Sequence, residues 1–225
     1  MQRIVMSVGN QLDQSLSVRV IKLGGSLLEL PDLRSRFEAW FARQRPAVNV
    51  MIVGGGELVE AVRGIDQQQS LDAAFVHWVS IDLMATTAKL ASEILGIGRL
   101  IATSQELSAF LGGIGTLGDG AEPLVAVLQP SAYYCREDAA RDGCDLPEDW
   151  SCTSDSIAAW LATQVGACEL VLLKSTAVDG ECSRAVSGDQ LELLSQSGVV
   201  DAAFPRFARD VASVQLVNLR DAIFG

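Results

Sequence analysis

Of the 17 basic residues only Lys22, Lys89 and Lys174 are lysines; the rest are arginine. Two of the three close apolar, β-rich runs: Lys22 ends VRVIK and Lys174 ends ELVLLK. A compact ammonium at the end of a buried strand, in a chain that otherwise charges its surface with arginine, points to a site rather than to solvation. Turn residues follow each lysine: Leu23-Gly24-Gly25-Ser26 after the first, Ser175 and then Val178-Asp179-Gly180 after the second. A second glycine run, Gly54-Gly55-Gly56-Glu57, follows VNVMIV. Glycines at a strand end let backbone N–H groups approach a ligand closely, and a following helix N-terminus favours an anion. Alone, Gly24-Gly25 reads equally as a tight turn. The fourth motif is Thr153-Ser154-Asp155-Ser156. Its plain reading is a helix start, with Thr or Ser as cap and Asp complementing the dipole. Its functional reading is that Asp155 orients the lysines or a magnesium-bound phosphate. Two lysines, an organising acid and glycine loops make together a site for polyphosphate, because a transferring phosphoryl group needs positioning and positive charge more than a protein nucleophile.

These residues need a frame, and the hydrophobic pattern supplies one. Strands are expected at 18–23, 48–53, 99–102, 123–128, 169–173 and 214–219, and helices at 31–44, from 57, at 71–95 closed by Gly96, from 153 to about 165, and near 189–196. Strands alternating with helices predict a three-layer αβα sandwich around a mainly parallel sheet of about eight strands. Ligands of such sheets sit beyond the C-terminal strand ends, where both lysines fall. The 225 residues suit one domain. Residues 1–17 read as an extension or a short edge strand.

Composition removes several function classes. With 28 acidic residues against 17 basic ones, the formal charge is −11. That disfavours nucleic acid and anionic membranes as partners. His77 is the one histidine, so a multi-histidine metal centre is excluded and no metal is expected to be bound directly by protein groups. The five cysteines form no CxxC pair, which suits a reducing cytoplasm. No targeting segment or membrane span is expected. A dinucleotide fingerprint fails because Val59 stands where its third glycine belongs, and no GxxxxGK[ST] loop occurs.

Two further stretches bear on a substrate. The long helix carries His77 and Asp82, which could face an acceptor, although helical histidines commonly serve packing. Its other apolar positions read as core, and Lys89 as a snorkelling surface residue. The connection at 129–152, with Tyr133, Tyr134, Arg136, Arg141 and Trp150, exceeds ordinary loop length and reads as a lid, an interface or a free loop.

In order along the chain, KLGGS (22–26), VGGGE (53–57), TSDSIAAWLA (153–162) and LLKSTAVDG (172–180) resemble the motifs of the amino acid kinase superfamily. The resemblance implies that Lys22 stabilises the transferring phosphoryl group, that Asp155 organises the lysines, and that Lys174 touches the ATP phosphates. It implies nucleotide contacts from Gly24, Ser175, Val178, Asp179 and Gly180, and acceptor contacts from Gly25, Gly54, Gly55, Gly56, His77 and Asp82. Mg-ATP, a small phosphate or carboxylate acceptor and a homo-oligomer are expected on the same ground. One departure is plain. Where many members carry a late Gly-Met-x-x-Lys segment, this chain has GVVDAAFP at 198–205, without lysine. With His77-Trp78 and TSDSIAAWLA, that segment is most similar to the aminomethylfuran-methyl phosphate kinase branch, which implies phosphorylation of a substrate phosphate in methanofuran-type one-carbon cofactor synthesis. A non-catalytic binding or regulatory module on the same fold stays open, as does, less readily, a nicotinamide oxidoreductase; phosphoryl transfer separates the first from the kinase, and binding of ATP rather than NAD the second.

Overall fold

The computed structural model describes residues 17–113, 124–136, 145–176 and 183–220. Seven strands form one sheet: β1 (Val18–Leu23), β2 (Val48–Val53), β3 (Leu100–Ile101), β4 (Val125–Leu128), β5 (Glu169–Lys174), β6 (Ser183–Val186) and β7 (Val214–Asn218), in the order β3-β4-β2-β1-β5-β7-β6. All neighbours pair in parallel except β6, which runs antiparallel to β7 at the edge. The described sheet is thus one strand short of the expected eight. β1 and β2 are buried throughout, which explains why their sequences are nearly continuous apolar runs.

The helices are α1 (Leu33–Phe41), α2 (Gly56–Gln69), α3 (Ala73–Leu95), α4 (Ser104–Gly112), α5 (Ser154–Gln164), α6 (Gly188–Gln196) and α7 (Phe204–Ala208). Two cores result. One packs Val20, Val50, Ile52, Leu170 and Leu172 against α5, α6, α7 and the first half of α3. The other packs Ile21, Leu23, Met51, Val171 and Leu173 against α1 and the last turns of α3. Successive side chains on a strand point to opposite faces, and this fixes the direction of each lysine. Lys22 shares a face with Val18 and Val20, and Lys174 with Leu170 and Leu172, so both lysines point to the α5 side. Lys22 pairs in register with Leu172, which leaves Lys174 two residues further along the adjacent strand. The chain leaves β1 toward β2 on one side and β5 toward β7 on the other, the arrangement that opens a crevice at the strand ends. Among the described residues no helix is long and apolar enough to cross a membrane.

Some expected elements are shorter than their patterns: α1 begins at Leu33 rather than at Pro31, and the strand at 99–102 is only Leu100–Ile101. α3 runs as expected, capped by the Asp72 carboxylate on Phe75 N–H and ended by Gly96 at φ 69°. Residues 1–16 of the expected N-terminal extension and 137–144 of the long connection lie outside the described residues.

Candidate active site

Asp155, in the first turn of α5, stands between the two strand-end lysines. Its Oδ2 accepts from Lys174 Nζ at 2.6 Å, and its Oδ1 lies 2.9 Å from Lys22 Nζ. The Lys22 contact is an ion pair rather than a well-directed hydrogen bond, for Oδ1 has no partner of good hydrogen-bond geometry. Lys22 and Asp155 are 5% and 4% exposed, so the group sits where charge is weakly screened. Burial pushes the Asp155 carboxyl up, but the Lys174 and Lys22 ammoniums outweigh it and hold the group at about 2. Burial lowers Lys174 to about 8, opposed by Asp155 and assisted by Lys22. Two ammoniums against one carboxylate leave a buried surplus of positive charge, which an arriving polyanion would balance.

The glycine loops enclose this charge. Gly24 N–H donates to Leu173 O at 2.8 Å and Gly54 N–H to Leu23 O at 2.9 Å, tying each loop to the neighbouring strand. Gly25 and Gly56 lie backbone to backbone: a Cβ on Gly25 would stand 2.1 Å from Gly56 N, and Gly56 itself takes φ +55°. A Cβ on Gly54 would come 3.0 Å from Ser154 Oγ and 3.6 Å from the Lys22 side chain. Beyond the Lys174 end of β5, Ser26 Oγ and Ser175 Oγ hydrogen-bond at 2.9 Å. Val178, Asp179 and Gly180 lie outside the described residues.

A cavity of about 230 Å³ opens beside Lys22, floored by Gly25, Gly54, Gly55 and Gly56. The N-terminus of α2 starts here with no side-chain cap, so its orphan N–H groups face the same region. From α3 come His77, Ser80, Ile81 and Met84. His77 is 4% exposed, and its Nε2 lies 3.1 Å from the Tyr134 hydroxyl. Burial pushes its imidazole below the ordinary value, against the Glu148 and Asp149 carboxylates and the Asp149 backbone, so the ring is neutral at pH 7. Asp82 does not join it. Five residues along a helix turn by roughly 140° from the His77 direction, and Asp82 is exposed, away from the cavity lining. The described end of the long connection supplies a wall through Asp149, Trp150 and Cys152.

The start of α5 corrects its sequence reading. Thr153 occupies the N-cap but makes no side-chain capping bond. The cap is Asp201, which accepts from Thr153 N–H at 2.9 Å, Thr153 Oγ1 at 2.7 Å, Ser156 N–H at 3.1 Å and the Ser156 hydroxyl. Phe204 N–H donates to it as well, at 3.0 Å. Burial and the nearby Asp155 charge raise the Asp201 carboxyl, and these hydrogen bonds oppose the rise. The residue belongs to GVVDAAFP, the segment without lysine; nothing in its spacing ties it to a helix 45 residues earlier. Ser154 and Trp150 also line the site, beyond the residues that the motifs assign to it. The structure therefore brings together Lys22, Asp155, Lys174, all five glycines, Ser175 and His77, and leaves Asp82 outside.

No protein-family model matches the chain. It is 25% identical over 195 residues, 84% of this chain and 81% of the other, to (5-(aminomethyl)furan-3-yl)methyl phosphate kinase from Methanocaldococcus jannaschii. Among solved structures, a uridylate kinase from Archaeoglobus fulgidus superposes with TM-score 0.55 at 16% identity over 90% of each chain. A UMP kinase from Ureaplasma parvum gives 0.58 at 13% identity, also over 90% of each. An aspartate kinase from Synechocystis gives 0.54 at 15% identity over 88% of this chain and 40% of that one. The chain thus has the amino acid kinase fold, which it shares with these uridylate and aspartate kinases, and it is similar in sequence to a phosphotransferase. That curated relative is a kinase of a small furan-bearing phosphate.

Proposed function

We propose that this protein transfers the γ-phosphoryl group of ATP to the phosphate of a small monophosphate ester, (5-(aminomethyl)furan-3-yl)methyl phosphate, as a step in methanofuran-type cofactor synthesis. The observation that carries the reading is the Lys22–Asp155–Lys174 cluster, a buried charge surplus between two glycine loops at adjacent strand ends. A phosphate oxygen of the acceptor attacks the γ-phosphorus, a new P–O bond forms, and the bond to the β,γ-bridging oxygen breaks. The products are an organic diphosphate and ADP. No protein nucleophile is needed. Lys22, at the mouth of the acceptor cavity, meets the charge that spreads over the transferring oxygens. Lys174 steadies the nucleotide phosphates, and Asp155 holds both ammoniums in place. The glycine N–H groups and the α2 N-terminus hold the acceptor phosphate. Among the described residues no group of three or more His, Cys, Asp or Glu is arranged to hold a metal. A magnesium ion carried on the nucleotide would supply neutralisation of phosphate charge.

The similarity to the Methanocaldococcus jannaschii enzyme supports this acceptor over others. ADP release with Mg-ATP, measured across small phosphates and carboxylates, tests the reading. Release that depends on the furan phosphate is expected. ATP-dependent stabilisation with no release from any acceptor would favour a binding module instead.

A further inference from the structure

The lone histidine and two of the four tryptophans converge on a stretch that phosphoryl transfer itself does not use. Residues 145–152 are pinned to α2 and α3 at several points. The Trp78 indole N–H donates to Glu148 Oε2 at 2.8 Å. The Trp150 indole N–H donates to Asp66 Oδ2 at 2.7 Å, and the Arg63 guanidinium lies 4.0 Å from the centre of the Trp150 ring. Both indoles thus bond a carboxylate, the stronger class of hydrogen bond. His77 hydrogen-bonds the Asp149 backbone and, through Nε2, the Tyr134 hydroxyl. Tyr134 in turn stacks on Trp78 with ring centres 4.9 Å apart. The pinned residues are also cavity residues: Asp149 and Trp150 face the same space as His77, Ile81 and Met84.

We infer that residues 145–152 form a fixed wall that sets the length of the acceptor cavity, with His77, Trp78 and Trp150 as its positioning residues. The inference rests on the kinase reading above and adds to it the origin of acceptor selectivity. A clamped wall excludes by size, and one surplus methylene against a rigid wall discriminates by about tenfold or more. His77 uses its ring to hold the loop from both ends of the long connection, which makes it a positioning residue rather than a proton carrier for the acceptor.

Steady-state kinetics of the wild-type protein, Trp150→Phe and Glu148→Gln test this. The acceptors are the furan phosphate and a homologue longer by one methylene. Trp150→Phe, which loses one charge-assisted bond, should raise the acceptor KM about fivefold to tenfold, and Glu148→Gln, which keeps a neutral acceptor for Trp78, should raise it by a smaller factor. KM for ATP should stay put, and the preference for the shorter acceptor should shrink. Asp66→Asn weakens the Trp150 bond from its half-buried partner and should act in the same direction if Trp150→Phe does not fold. Unchanged acceptor KM and unchanged size preference, or ATP and acceptor KM rising in step, would overturn the wall. A wild-type protein with no acceptor-dependent turnover would instead remove the kinase reading and this inference with it.

Discussion

Lys174 should make ATP use sensitive to alkali, in a pH range where the fold itself does not suffer from that lysine. Burial holds its ammonium at about 8, against an ordinary value of 10.5. One unit above that midpoint only about a tenth of the free protein carries the charge. kcat/KM for ATP should therefore fall about tenfold per pH unit beyond it, because that ratio reports the free enzyme. Stability moves the other way. Lys174 is a base whose folded value lies below its unfolded one, so between about 8 and 10.5 the unfolded chain holds the extra proton and the folded state gains. The full gain is about 3 kcal/mol, reached above the unfolded value. The assay is a pH–rate profile at limiting ATP, paired with thermal melts of wild type and Lys174→Arg at each pH. Arginine keeps its charge throughout, so the alkaline limb should vanish in the variant, and the wild-type-minus-variant stability should rise with pH. A profile flat to about pH 10, or the same limb in Lys174→Arg, would refute the assignment of this lysine and its burial.

The same geometry bears on other substitutions. Asp155 has the opposite sign: its folded value of about 2 lies below the ordinary 3.8, so its contribution is complete above the ordinary value and is lost as pH falls toward 2. Acid unfolding compared between wild type and Asp155→Asn should show the variant losing about 2 kcal/mol less over that window. Gly25→Ala should abolish turnover and lower the melting temperature, since its Cβ would meet Gly56 N at 2.1 Å. Gly64→Ala, within α2 and open on all sides, should raise stability by about 0.5–1 kcal/mol, read by urea titration. Asp201→Ala should cost about 1–3 kcal/mol by removing the cap of α5, with KM for ATP rising as Asp155 loses its setting.

Much of this frame is legible in the sequence because it is local. A strand ending in lysine, a glycine pair and a helix start announce β1, and alternation alone puts Lys22 and Lys174 on one face. The glycine run before α2 and the Gly96 stop of α3 are equally local signals. α4 carries one as well: Thr103 and Glu106 form a capping box, so Thr-x-x-Glu marks a helix that the strand pattern around it obscures. The edge strand β6 gives no such sign, because its four residues gain their place by pairing antiparallel with β7. Asp201 illustrates the real limit. Its donors on α5 lie 45 and 48 residues away, and only the packing of α7 against α5 brings them within reach. Asp82 departs from expectation for a simpler reason: helical phase, not residue type, decides which side chains of α3 meet the cavity.

Transfer of label from γ-³²P-ATP, run with and without the furan phosphate in wild type and Lys22→Ala, decides whether this chain moves a phosphoryl group to that acceptor. Label should reach the acceptor in the wild type and fall by about 10²–10³ in the variant. The melting temperature should hold nearly constant, because Asp155 retains its 2.6 Å bond to Lys174 and the buried surplus charge is relieved. Label passing to the acceptor at an unchanged rate in Lys22→Ala, or to water regardless of acceptor, would contradict this mechanism.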